Sequence, residues 1–124
     1  MPIEVINGPT IAPGESLSDA VDCRGGVIIK ITMPQNGFNG SDITFQTSSD
    51  DVGYNDIMKP NGQEVTCVAV PGTAIIGMDL ITGFIKIRGG TRDHPTVQSD
   101  IRTFAVAVLK PAVLNAALKI TPEY

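Results

Sequence analysis

The stretch Val27–Met33, VIIKITM, constrains the fold most. Val27, Ile29, Ile31 and Met33 fall on one side of an extended chain, while Lys30 and Thr32 punctuate the other. A period of two is the signature of a sheet with one buried face. Pro34 ends the run. The same alternation recurs in DITFQTS, where Ile43, Phe45 and Thr47 oppose Thr44, Gln46 and Ser48, then in FIKIR (84–88) and in RTFAVAVLK, with Phe104, Val106 and Val108 together. SLSDAVDC (16–23) places Leu17, Val21 and Cys23 on one side, EVTCVAV (64–70) is rich in β-branched residues, and TAIIGMDLI (73–81) reads as a short strand or a helical turn. Between these runs lie Gly, Pro, Asn and Asp clusters about every ten residues, as in QNGFNG, KPNG and PG. About seven strands without helical crossovers predict an all-β antiparallel β-sandwich, jelly-roll-like in form.

With 124 residues the chain is long enough for a single domain that buries a real core. The expected organisation is an amino-terminal arm over 1–14, a β-sandwich over 15–110 and a carboxyl-terminal arm over 111–124. Pro2, Gly8, Pro9, Pro13 and Gly14 deny the first segment a regular ladder and favour a strap or an irregular edge. The last, PAVLNAALKITPEY, carries Leu and Ala at a spacing that suits a helical turn or two only if docked. Both ends could reach a neighbouring subunit or fold back on their own domain.

A formal net charge of −4 repels nucleic acid and anionic lipid, so neither is an expected partner. No apolar run approaches the about 20 residues that span a bilayer, and MPIEVINGPTIAPG lacks the continuous hydrophobicity of a signal peptide, so a product of the cytosol is expected. Cys23 and Cys67 have no C-x-x-C spacing and read as free thiols, with a disulfide as the alternative.

Catalysis finds no support in the motifs. The single histidine, His94, sits in the polar loop GGTRDHPT beside Asp93 with no nucleophile in view, and RGGT lacks the spacing of a phosphate cradle. No catalytic, cofactor-binding or metal residue is therefore expected. Asp50, Asp51, Asn55 and Asp56 are hard oxygen ligands, but Val52, Gly53 and Tyr54 interrupt them and no Glu closes the loop before Glu64, which favours a turn over a calcium site. Arg24, Arg88, Arg92 and Arg102 are the other set. Three of them bracket a loop holding Asp93 and Asp100, so loop-pinning ion pairs are expected, with a partner contact as the sharper alternative.

Two fragments, ITFQTSSDDVGYNDI and GFIKIRGG, resemble the galactose-binding-like jelly rolls. SLSDAVD, Met33-Pro34, Ser48 with Asp50, Tyr54, GQEVT, IRGGT, Pro95 with Gln98, and RTF together resemble small tailed-phage and prophage virion proteins over residues 16–108. The resemblance implies a β-sandwich capsid decoration (cement) protein on the virion surface, made in the host cytoplasm, with the major capsid protein as partner and a homotrimer as its assembly. It departs from the pattern at Asp51, where a glycine is usual; Asp tolerates the left-handed conformation that such a turn requires. Alternatives are a tail or baseplate component and a carbohydrate-binding module, for which Tyr54, with Asp50 and Asn55, and Phe38 offer the polar and aromatic groups.

Overall fold

Two antiparallel sheets lie face to face in the computed structural model, which describes residues 3–81 and 83–110. The elements in chain order are β1 (Ile3–Ile11), β2 (Val21–Asp22), β3 (Val27–Thr32), β4 (Asp42–Ser48), β5 (Asn55–Asp56), β6 (Cys67–Val68), β7 (Ala74–Ile81), β8 (Phe84–Gly89) and β9 (Arg102–Leu109). The first sheet runs β1-β9-β3-β7; the second runs β2-β8-β4-β5, with β6 also on β4. Every described strand pair is antiparallel. The chain is a β-sandwich, as the alternation predicts.

Alternation is what builds the layer between the sheets. Ile43 and Phe45 from β4 and Ile85 and Ile87 from β8 are fully buried, and they face Phe104, Val106 and Val108 of β9 and Ile28 and Ile31 of β3. Each such side chain contributes about 1.5–3 kcal/mol by leaving water. Phe38 closes one end of the layer, its ring 6.0 Å from that of Phe104 at 71°, an edge-to-face contact.

Strand β3 corrects the sequence reading. Its register slips between Ile28 and Lys30 against both neighbours, so Ile28 pairs with Val108 and Lys30 with Ala107. Ile29 is the extra residue of a bulge, and the inward phase shifts by one: Ile28 is fully buried and Ile29 only half-buried, while Ile31 and Met33 stay inside. Three consecutive β-branched apolar positions, Val27–Ile29, hide such a slip, because either phase looks equally dry.

The amino-terminal arm is a second correction. Ile3–Ile11 forms a full edge strand on β9, from Ile3 opposite Leu109 to Ile11 opposite Arg102. The proline-glycine objection is met locally: the ladder shifts between Asn7 and Thr10, so the missing N–H of Pro9 falls where no rung is required. The expected carboxyl-terminal arm, 111–124, lies outside the described residues. Two expected strands are also much shorter than read. Only Val21–Asp22 of 16–23 joins the ladder, with Leu17 making an isolated bridge to Arg88, and only Cys67–Val68 of 64–70 does.

Glycine is required at Gly26, where a Cβ would stand 2.4 Å from the Leu109 carbonyl oxygen. That approach lets the β2–β3 turn seat against the end of β9. The bulge makes a sharp prediction for urea unfolding: Ile28→Ala costs about 2–5 kcal/mol, as a fully buried truncation does, and Ile29→Ala costs well under half as much. Equal losses would mean that β3 keeps an unbroken alternation.

Candidate functional site

The acidic break after β4 is a self-contained turn. The buried Ser48 hydroxyl donates to Asp50 Oδ1 at 2.9 Å and accepts from the backbone N–H groups of Asp50 and Asp51 at 3.2 and 2.9 Å. Asp50 Oδ1 in turn accepts from Val52 and Gly53 N–H at 2.9 and 3.1 Å. Those backbone donors, with Ser48, hold the Asp50 carboxyl below its usual range. Asp51 takes φ of 63°, the left-handed conformation anticipated for it, and its carboxylate accepts from the Tyr54 hydroxyl. Burial and that carboxylate push the Tyr54 phenol up to about 12. Asp50 Oδ1 and Asp51 Oδ1 are thus engaged by local donors. Among the described residues, no three His, Cys, Asp or Glu side chains converge as a metal centre needs.

The aromatic candidates are engaged as well. Lys86 Nζ lies 4.3 Å from the centroid of the Tyr54 ring, a cation–π contact over one of its faces. Phe38 is committed to Phe104.

On the outer face of the second sheet the strands converge on Arg88, whose side chain is only 8% exposed. Thr44, directly across the ladder on β4, accepts from Arg88 Nη1 at 3.2 Å and donates to the Gly90 carbonyl at 2.8 Å. Glu64 Oε2 receives the same nitrogen at 3.0 Å, and Asp56 Oδ1 receives Nη2. Arg92 Nε stands 3.3 Å from Asp56 Oδ2, and Glu64 also accepts the Arg92 backbone N–H at 3.1 Å. Two cations and two anions thus balance in a mostly dry cluster. The Arg88 hydrogen bond, helped by Gln46 and the Arg92 charge, holds the Asp56 carboxyl below its usual range against the opposing effect of burial. The cluster fastens residues 55–66 and the β8–β9 loop to the sheet.

Arg102 performs the matching task with neutral partners. Buried at the start of β9, it donates to Gln98 Oε1 at 3.1 Å, the Asn36 carbonyl at 3.1 Å and Asn39 Oδ1 at 3.0 Å. Gln98 Nε2 reaches back to the Asn39 carbonyl at 2.9 Å, so loops 34–41 and 91–101 are tied together. Loop-pinning arginines are therefore present, but the acids serving Arg88 and Arg92 come from Asp56 and Glu64 rather than Asp93 and Asp100. Arg24 is exposed, 3.8 Å from Glu4. Gly89 and Gly90 of RGGT serve close packing: a Cβ on Gly90 would lie 2.4 Å from the His94 carbonyl oxygen. His94 is exposed in that loop, its backbone N–H on Thr91 Oγ1 at 3.1 Å.

Both cysteines are free, Cys23 buried and Cys67 half-buried. Burial, then the nearby Asp22 charge, pushes the Cys23 thiol up to about 11, and burial raises Cys67, so both stay protonated and inert as nucleophiles at neutral pH. A cleft of about 460 Å³ opens at one end of the sandwich between Gly25, Thr47, Ser49, Asn55 and Gly83; its lining holds no titratable side chain.

Two surfaces are unlike the rest. In the first sheet the outward positions of paired rungs are Val5, Ala107, Lys30 and Ile76 in one row, and Ile3, Leu109 and Val27 in the row beside it. Val5 is 62% and Ile76 75% exposed. Along residues 49–72, which supply the far edge of the second sheet, Val52, Met58, Val68 and Val70 are also exposed, Val52 at 83% and Val68 at 70%. Scattered exposed aliphatics are ordinary; on this sheet face they stand around the exposed Lys30, with the exposed Asp79 of β7 beside them. Alternation alone could not reveal it, because β9 is apolar on both sides, with Phe104, Val106 and Val108 inward and Ala105, Ala107 and Leu109 outward.

Comparison of the chain with protein-family models, with curated proteins and with solved structures gives no match.

The charged cluster predicts a pH dependence. The Asp56 carboxyl is lowered in the folded chain relative to about 3.9 when unfolded. Its stabilisation is complete above that unfolded value and is lost as pH falls through the folded one. In urea titrations the stability gap between the parent chain and Asp56→Asn is accordingly largest at neutral pH and closes below about pH 4. Removing the charge on Arg88 with Arg88→Met strands two carboxylates and costs about 3–5 kcal/mol at neutral pH. A loss within about 0.5 kcal/mol would show that the cluster is solvated.

Proposed function

We propose that the chain is a non-enzymatic virion structural protein of a tailed phage, a capsid decoration (cement) subunit that stabilises the head by bridging neighbouring proteins. The observation that carries this reading is the pair of exposed apolar surfaces on opposite parts of the sandwich: the outer face of the first sheet, with Val5 and Ile76, and the β4–β7 segment, with Val52 and Val68. A subunit with two such surfaces can bury both against different neighbours, and the free energy of each contact adds to the stability of the shell. The internal ion cluster supports the same reading. It stiffens the edge of the second sheet, which suits a subunit that keeps its shape against neighbours. The motifs across residues 16–108, which resemble small tailed-phage virion proteins, support a place in such a particle.

The carbohydrate alternative gains nothing comparable, because Lys86 covers a face of Tyr54 and Phe38 lies against Phe104.

The test uses particles of the phage that encodes the chain, prepared with and without it. Particles with the protein should carry it in stoichiometric amounts and release their DNA at a higher temperature than particles lacking it. Val52→Asp and Val68→Asp should each weaken addition of purified protein to bare shells by about tenfold, the cost of burying a carboxylate in an apolar contact. Equal heat resistance with and without the chain would end the cement reading. Glycan binding that disappears in Tyr54→Ala would replace it with the carbohydrate one.

A further inference from the structure

We propose that Asn39 is a site of intramolecular self-modification. The Gly40 backbone nitrogen closes on the Asn39 side-chain amide, ammonia leaves, and water opens the ring to an aspartate that pairs with Arg102. The proposal is independent of the virion reading and concerns the loop junction that Arg102 holds together.

A buried charge without a counter-ion motivates it. Arg102 is 5% exposed and forms no ion pair with any described residue. Its hydrogen bonds go to neutral oxygens, those of Gln98, the Asn36 carbonyl and Asn39. Arg88, also buried, has two acids. Burying a cation unpaired is unfavourable, and the group that could supply its partner already stands against it. Asn39 Oδ1 accepts from Arg102 Nη2 at 3.0 Å, whereas Asn39 Nδ2 donates to no described residue. Replacing that nitrogen with oxygen therefore breaks no hydrogen bond and sets a negative charge beside the guanidinium.

The same contacts favour the reaction. Attack of the Gly40 nitrogen on Asn39 Cγ closes a five-membered ring and moves an electron pair onto Oδ1. That oxygen already accepts from the Ser99 N–H at 2.9 Å, the Ser99 hydroxyl at 3.0 Å and Arg102 Nη2, so the developing oxyanion is stabilised with no rearrangement of its donors. The nucleophile is unencumbered: Gly40 is exposed, and its N–H makes no hydrogen bond among the described residues. The Cγ–Nδ2 bond then breaks, and ammonia leaves with the proton of the Gly40 amide. Water adds to Cγ of the cyclic imide, the new Cγ–N bond breaks, the Gly40 nitrogen regains a proton, and a carboxylate remains at position 39 with one proton released. Asparagine and water become aspartate and ammonia, with no change of oxidation state. Opening at the main-chain carbonyl instead would give isoaspartate, but that oxygen accepts only from Gln98 Nε2, at 2.9 Å. The stronger set of donors directs water to Cγ and preserves the main chain.

The chain contains its own comparisons, in Asn7-Gly8, Asn36-Gly37 and Asn61-Gly62. Asn7 lies in β1 opposite Ala105, and the glycine after it is buried. Asn36 donates through Nδ2 to the Ile101 carbonyl at 2.9 Å, and its Oδ1 accepts from no described residue. The Gly62 N–H is held by the Lys59 carbonyl at 2.9 Å, and Asn61 Oδ1 accepts from one backbone N–H, that of Gln63, at 3.0 Å. Among the described residues, Asn39 alone joins an unengaged glycine N–H to a side-chain carbonyl polarised by a cation.

The experiment is a time course of the purified full chain at neutral pH, folded and in urea, read by peptide mass spectrometry with fragmentation that separates aspartate from isoaspartate. In the folded chain Asn39 should convert about tenfold or more faster than Asn7, Asn36 and Asn61, with aspartate as the main product. In urea the preference should vanish, because the donors of Ser99 and Arg102 are no longer aligned. Ser99 is exposed, so Ser99→Ala should keep the fold; by removing one neutral donor it should slow conversion at Asn39 about fivefold and leave the other three sites unchanged. Asn39→Asp, made directly, should melt about 3 °C or more above the parent, since it installs the ion pair in advance. Conversion at Asn39 no faster than at the other three sites of the folded chain, faster conversion of Asn39 in urea, isoaspartate as its main product, or an Asn39→Asp chain that melts below the parent would each overturn the proposal.

Discussion

The dry layer shared by β4 and β8 on one side and β9 and β3 on the other is the constraint from which the remaining features follow. Phe45, Ile43, Ile85 and Ile87 have to meet Phe104, Val106, Val108 and Ile28, and once they do each strand's other side is fixed as surface. The two outer faces then part company. On the second sheet the outward side chains of the central strands are Thr44, Gln46, Lys86 and Arg88, which recruit Asp56, Glu64 and Arg92 into a neutral cluster. On the first sheet they are alanines, threonines and aliphatics around one lysine. One face is finished by internal polar contacts, and the other keeps exposed aliphatics such as Val5 and Ile76.

The buried arginines explain how a chain with 13 Gly and 9 Pro keeps its long connections in place. A loop carries few apolar contacts of its own, so its position depends on polar groups that are satisfied only in one arrangement. Arg88 supplies that arrangement for residues 55–66, and Arg102, through Gln98 and Asn39, for the loops beside β9. Among the described residues, no buried side-chain nitrogen or oxygen is left without a partner. Full satisfaction is what makes such networks rigid instead of costly.

Much of the fold was legible in the sequence because strand alternation and turn chemistry are local. The strands around Phe45, Ile87 and Phe104, the turn at 48–56 and the left-handed Asp51 all follow from residues within a few positions of one another. What escaped was set at long range. The bulge at Ile29 needs two neighbouring strands to reveal it, the pairing of β1 with β9 joins residues about a hundred apart, and Asp56 and Glu64 reach Arg88 across 32 and 24 positions. The apolar outer face was hidden for a related reason. Alternation identifies a strand by contrast between its sides, and β9 and β3 have little.

The central claim is that this open face becomes buried in an assembly. Hydroxyl-radical labelling followed by mass spectrometry measures that directly, comparing side-chain oxidation in the purified chain at high dilution with that in whole particles. The account predicts that Ile3, Val5 and Ile76 are oxidised freely in the dilute chain and are protected in the particle, while Val97 and Ile101, exposed elsewhere, react alike in both. Equal oxidation of Val5 and Ile76 in the two states would contradict it.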